Sequence, residues 1–285
     1  MSPYVISQDI KILLERWARQ SGCVLPPTIV ESVREALYKK LGDIFPGILD
    51  IIHEGELVEG VNALVRSAGM PVISMDPVYY AGGSLLGMSR MVHPDLQNAG
   101  HGRRNGDAAV LRQLSSLPRG DVIVVDDVIF SGEMMERVVR MLANRGTRVR
   151  AIVCGVAIGE GRERLAALDI PVHSVRHYDS VVDELCERDF FPGVPLSGRQ
   201  VRTDGNVGAP YILPFGKPAS WASIPEKRCV EFSRTCLELT RDLFTGVEEA
   251  SGRAIATRDL PRGVLGVPSD SRRFCDVLTE LLRES

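Results

Sequence analysis

The sequence predicts an α/β protein, a parallel sheet flanked by helices, with helical additions at both ends. Two observations carry this. Between Val122 and Val175, short apolar runs alternate with amphipathic helical stretches in the order β-α-β-α-β, the pattern of a parallel sheet with right-handed crossovers. One of those runs, Val122–Val125, is wholly apolar, as expected of a strand covered on both faces.

The elements divide into three regions. Residues 1–69 read as helical: Ile10–Trp17, Ile29–Leu41 and Leu57–Ala68 carry apolar residues at helical spacing. Thr28 is placed to cap the second helix, and Gly42 and Gly69 stand where left-handed C-terminal glycines belong. Residues 70–190 form the α/β core. Its strands are Pro71–Met75, Val122–Val125, Arg148–Ala157 and Val172–Val175, and its helices are Ala108–Leu117, Glu133–Gly146 and Arg162–Leu168. Residues 191–285 open with a Gly- and Pro-rich loop and continue into helices over Glu226–Ser251 and Ser271–Arg283.

A chain of 285 residues is long enough for a core that needs no staples. Hydrophobic residues make up 44% and charged residues 25%, as in ordinary globular proteins. The net charge of −3 gives no reason to expect nucleic acid as a partner. The six cysteines form no C-x-x-C pair, so reduced, buried thiols are expected. The opening MSPYVISQDIKILLERW has charges inside its apolar stretch, unlike a secretory leader. No run approaches the roughly 18–20 apolar residues of a membrane span. A cytoplasmic protein is expected, and a homodimer is left open.

The chemistry is concentrated in Val122–Met135, VIVVDDVIFSGEMM. A buried strand ends in adjacent carboxylates, Asp126 and Asp127; two apolar residues and Phe130-Ser131-Gly132 lead into a helix. Ligands of open α/β sheets bind beyond the carboxyl ends of the strands. A glycine-containing loop that opens a helix aims backbone N–H groups at one point, with the helix dipole behind them. Two acids one step earlier suit sugar hydroxyls or Mg²⁺. A sugar phosphate fits: phosphate on the loop, ribose diol on the acids.

This segment resembles the phosphoribosyl pyrophosphate (PRPP) signature of type I phosphoribosyltransferases: four apolar residues, two acids, two apolar residues, then a Thr/Ser- and Gly-rich loop. Val122–Val125, Asp126, Asp127, Val128, Ile129, Ser131 and Gly132 match it. The resemblance implies that Asp126 and Asp127 hold the ribose hydroxyls and assist Mg²⁺ indirectly. It also implies that Phe130, Ser131, Gly132, Glu133, Met134 and Met135 bind the 5′-phosphate. Two positions depart from the pattern. Phe130 stands where many members have Thr, Ala or Asp, which removes the base of purine salvage, and Met134 stands where most have a hydroxyl. The competing readings are the acid pocket of a receiver domain, which leaves the Ser-Gly loop unexplained, and an unrelated strand–turn–helix.

Other candidates surround this segment. The polar stretch His93–Asp107, with His101, Arg103 and Arg104, is expected to be a mobile loop that closes over a pyrophosphate, with Arg90 beside it; a solvated surface loop is the alternative. Asp76–Ser84 follows the first core strand, where the family places its pyrophosphate loop; a β-hairpin turning at Ala81–Ser84 is the alternative. Phe190 and Phe191 are candidates to stack on a planar acceptor, or else core residues, and Arg199 to meet an anionic group. His53, His173 and His177 read as structural, and no cluster has transition-metal spacing. The resulting expectation is a phosphoribosyltransferase using PRPP and Mg²⁺ on a heterocyclic acceptor; the alternative is a related binding protein that senses PRPP or a nucleotide without turnover.

Overall fold

The computed structural model describes residues 1–104 and 108–284. The chain begins with β1 (Tyr4–Ser7), α1 (Ile10–Ser21), α2 (Pro27–Ile44), β2 (Leu49–Ile52) and α3 (Glu54–Ala68). There follow β3 (Val72–Ser74), β4 (Ser84–Leu85), β5 (Met88–Val92), β6 (Asn98–Arg103), α4 (Val110–Ser116), β7 (Gly120–Ile129) and α5 (Glu133–Ala143). Next come β8 (Thr147–Ile158), α6 (Gly159–Ala166), β9 (Val172–Tyr178) and β10 (Asp183–Cys186). The final third holds β11 (Arg199–Val201), β12 (Val207–Ala209), the single turn α7 (Pro218–Trp221), α8 (Cys229–Ser251), β13 (Gly263–Val264) and α9 (Phe274–Glu284).

At the centre is an all-parallel, five-stranded sheet in the order β4-β3-β7-β8-β9, flanked by helices. The run Val122–Val125 shows why it folds this way. Val122 and Val124 join one cluster with Met135, Val138 and Leu142 of α5. Ile123 and Val125 join another with Leu57, Val61 and Val65 of α3. Consecutive strand residues point to opposite faces, so a strand covered on both sides is apolar throughout. Each of the four strand side chains is fully buried, which stabilises by roughly 1.5–3 kcal/mol. β7 continues past the apolar run because its pairing with β8 persists to Ile129, so both acids ride on the strand itself.

The N-terminal region is not purely helical. β1 lies between β10 and β2 in a second parallel sheet. A four-residue strand is too short for a periodic signal, and its partner β10 lies far along the chain. α2 runs straight through Gly42 to Ile44 and starts with Pro27 in its first turn, not at a Thr28 cap. Gly69 does adopt the left-handed conformation after α3. Leu14, Leu37 and Leu41 share one core with Phe232, Leu243, Phe244 and Phe274, so the two terminal additions form one layer.

The third sheet, β13-β12-β11-β5-β6, corrects the reading of the polar stretch as an open loop. Within this stretch Asn98–Arg103 folds back as β6, antiparallel to β5. Hydrogen bonds do most of the ordering of this stretch: the His93 amide donates to the Gln97 carbonyl at 2.9 Å, and the Asp95 and Asn98 side chains accept from the Gln97 and Gly100 amides at 3.0 and 2.8 Å, while Leu96 packs partly buried against the core. Asn105, Gly106 and Asp107 lie outside the described residues. Ala81–Ser84 is no hairpin turn, because β3 and β4 are parallel neighbours. All six cysteines are free, and all but Cys23 are buried. Among the described residues, no helix is long and apolar enough to cross a membrane.

Candidate functional site

A cavity of about 640 Å³ opens beyond the carboxyl ends of β7 and β10 and is walled on its far side by β5, β6 and β11. Volumes of this order suit a small-molecule ligand. Asp126, Asp127 and the whole segment Val128–Met135 line it, as the sequence led us to expect.

The loop into α5 is held by close backbone packing. Gly132 is left-handed (φ 72°) and caps α5 without a side chain. A Cβ on Gly161, at the start of α6, would stand 2.4 Å from the Phe130 carbonyl oxygen and 3.1 Å from the Gly132 nitrogen. Arg164 Nε donates to the Ser131 carbonyl at 2.7 Å. The first amides of a helix have no partner within it, so this entry to α5 presents N–H groups at the cavity wall. Met134 packs partly into the α5–β7 cluster, which accounts for an apolar residue where the family pattern has a hydroxyl.

The two acids differ electrostatically. Asp126 is buried, and burial, then the Asp127 charge, push its carboxyl well above the ordinary value. Burial also acts to raise Asp127, but the guanidiniums of Arg188 and Arg104 outweigh it and hold Asp127 below its ordinary value. Arg188 Nη2 donates to Asp127 Oδ2 at 2.9 Å. Asp127 Oδ1 accepts from the Val128 amide at 2.9 Å, and Asp126 Oδ1 from the Asp127 amide at 3.1 Å. Separating neighbouring carboxyls in this way makes one a potential donor and the other an acceptor.

The candidate cations are only partly brought together. Arg104 lines the cavity and donates through Nη1 to the Met75 carbonyl at 2.7 Å. Arg90 and His101 face each other across β5 and β6 and also line it. Burial, then the Arg90 charge, lower the His101 pKa. Arg103 is not among the lining residues. Nor is any residue of Asp76–Ser84; there Asp76 accepts from the Val78 and Tyr79 amides at 2.7 Å, and burial pushes its carboxyl up to about 6.

Phe190 and Phe191 are corrected as acceptor residues. Both are fully buried in the core shared by the terminal helices, and Phe190 meets Phe232 edge-on at 5.1 Å. Besides Phe130 of the phosphate-loop segment, the aromatic residues that line the cavity are Tyr211 and Trp221. Arg199 does line it, with its guanidinium 4.3 Å from the Trp221 ring centroid and 5.6 Å from that of Tyr211. Arg199 Nε is buried without a hydrogen-bond partner among the described residues. Sequence reasoning also missed Glu184, Arg188 and Arg262. Glu184 accepts from Ser7 Oγ at 2.7 Å, and burial pushes its carboxyl up to about 8. No local pattern marks these residues; Glu184 and Arg188 reach the acids only after β10 has paired with β1.

No family model and no curated protein matches the sequence. Among solved structures, an orotate phosphoribosyltransferase from Aeropyrum pernix is 24% identical over 44% of this chain and 68% of its own, with a TM-score of 0.28. An adenine phosphoribosyltransferase from Thermoanaerobacter pseudethanolicus is 13% identical over 44% of this chain and 79% of its own, with a TM-score of 0.32. The UMP synthase of Leishmania donovani is 14% identical over 48% of this chain and 28% of its own, with a TM-score of 0.27. Each likeness spans less than half of this chain.

Proposed function

We propose that this chain is a phosphoribosyltransferase that moves the phosphoribosyl group of PRPP onto a heterocyclic acceptor and releases pyrophosphate. The observation that carries the reading is a single wall of the cavity. There Asp126 and Asp127 stand near the carboxyl end of β7, and the glycine turn at Gly132 opens α5 a few residues later. The helix entry takes the 5′-phosphate, and the acids take the ribose hydroxyls. Attack at the anomeric carbon with loss of pyrophosphate needs no protein nucleophile. The chain's work is to position the reactants, balance the leaving charge with Arg104 and Arg90, offer a hydrogen bond from His101, and exclude water.

Mg²⁺ fits this scheme in an indirect role. The hard oxygens of Asp126 and Asp127 suit it, but both oxygens of Asp127 already accept hydrogen bonds within the protein. The ion would therefore be held mainly by diphosphate oxygens and water, and it would supply charge neutralisation of the leaving group. Tyr211, Trp221 and Arg199 form the acceptor end in this reading, in place of Phe190 and Phe191.

A second reading, a PRPP- or nucleotide-binding protein without turnover, is favoured by one feature: the loop after β3 does not line the cavity. Pyrophosphate release from PRPP and Mg²⁺ with a panel of nucleobases decides between them. Release with at least one base supports transfer. Tight binding of PRPP or a nucleotide with no release under any base supports the sensor, and absence of both PRPP and nucleotide binding overturns both readings.

A further inference from the structure

Arg188 joins two parts of the molecule that the sequence treats as separate. Its Nη2 donates to Asp127 Oδ2 at 2.9 Å, and its Nη1 donates to Asp9 Oδ2. The Arg188 amide donates to Asp9 Oδ1 at 3.1 Å. Asp9 is fully buried between β1 and α1. Behind it, Glu187 Oε1 accepts from the Asp9 and Ile10 amides at 2.8 and 2.9 Å. Glu187 is paired in turn with Arg34 of α2 at 2.6 Å, and Arg34 also pairs with Glu54 at the start of α3. A row of buried ionisable side chains thus runs from the N-terminal helices to Asp127 near the end of β7.

Such a row is a poor way to gain stability, since desolvation of buried ions offsets most of their attraction. What it does provide is a guanidinium whose position is set from behind. Two adjacent carboxylates at a cavity wall repel each other, and a cation fixed beside one of them lets the pair stand together. Arg188 is that cation at hydrogen-bonding distance; the Arg104 charge acts on the same pair while its Nη1 donates to the Met75 carbonyl.

We infer that Arg188, anchored by Asp9, is a positioning residue for the acid pair: it fixes Asp127 for a sugar diol and makes the N-terminal segment a working part of the ribose subsite. Arg188 acts here through Asp127 and has no role at the phosphate loop. The inference rests on the ribose 5-phosphate reading given above.

The test is calorimetric titration of the full chain with ribose 5-phosphate and, separately, with inorganic phosphate. The variants are Arg188→Gln, Asp9→Asn, Asp127→Asn and the Arg188→Gln/Asp127→Asn double. Arg188→Gln is expected to weaken ribose 5-phosphate about tenfold or more, the scale of a lost charged hydrogen bond, while phosphate changes by less than about twofold. Asp9→Asn is expected to weaken the sugar phosphate in the same direction, and it decides the question if Arg188→Gln does not fold. In the Asp127→Asn background, Arg188→Gln is expected to have no further effect, as required of a residue that acts through Asp127. Unchanged ribose 5-phosphate affinity, an equal loss for both ligands, or a full Arg188→Gln penalty in the Asp127→Asn background overturns the inference. Wild-type protein that binds phosphate but no ribose 5-phosphate overturns the ribose reading itself, a result distinguishable from all of these.

Discussion

Gly132 and Gly161 meet backbone to backbone: a Cβ on Gly132 would lie 3.0 Å from the Gly161 carbonyl oxygen, and Gly132 itself is left-handed at φ 72°. The loop that opens α5 and the first turn of α6 are therefore set against each other, and neither side has room for a methyl group. The anion site proposed at the α5 entry would take its shape from this contact.

Gly161→Ala is expected to displace Phe130–Gly132, because the new Cβ would press on the Phe130 carbonyl oxygen and the Gly132 nitrogen as well as on the Ile129 side chain. Phosphate affinity should fall about tenfold or more as the amides lose their common focus. Gly132→Ala should cost at least about 1 kcal/mol from the left-handed backbone alone. Calorimetry with inorganic phosphate, alongside thermal unfolding, checks both. Full phosphate affinity in a stably folded Gly161→Ala protein would remove the loop as the anion site.

Asp126→Asn and Asp127→Asn should separate in stability although both should weaken ribose 5-phosphate. Asparagine imitates the neutral carboxyl toward which burial drives Asp126, so that change should cost under about 1 kcal/mol. Asp127→Asn removes the ionised partner of Arg188 and should cost about 1.5–3 kcal/mol. Urea unfolding of the two single variants measures the difference. Equal losses would show that the two acids are not electrostatically distinct.

Glu184 should make stability depend on pH. Its ordinary value is near 4.5, and burial raises it in the folded chain to about 8, so the folded state binds the extra proton between these values. Stability contributed by this group therefore falls as pH rises through that window. Glu184→Gln keeps an acceptor for Ser7 Oγ and removes the titration. At about pH 9 the variant should be more stable than wild type by about 1–3 kcal/mol, with little difference near pH 4. A pH-independent difference in the unfolding midpoint would mean that Glu184 is already ionised in the fold.

Phe190 and Arg199 should report opposite roles. Phe190→Ala empties a fully buried position against Phe232 and should cost about 3–5 kcal/mol of stability. Arg199→Ala removes a cation from the Trp221 face at the cavity wall and should cost only about 0.5–2 kcal/mol. If the acceptor binds there, Arg199→Ala should raise the acceptor KM while leaving PRPP affinity unchanged. Steady-state kinetics with the active base supplies the check. A matching loss of PRPP affinity would place Arg199 at the pyrophosphate instead.

The sequence by itself determined the parallel α/β core and the segment Val122–Met135. Their signals are local: a fully apolar strand needs only its own four residues, and the acids, the loop and the helix start follow it without interruption. It also marked Arg90, Arg104 and Arg199 as candidate cations, though not their neighbours. Tertiary structure alone decided that Phe190 and Phe191 point into the core, that Tyr211 and Trp221 face the cavity, and that Arg188 meets Asp127. It also ordered the polar stretch before Asn105, whose backbone bonds to β5 leave no trace in hydropathy. The reason is common to all of these. Whether an aromatic lies inside or at a cavity, and which carboxylate an arginine meets, depends on strands that pair across the length of the chain, as β1 does with β10, and such contacts have no period for a sequence to display.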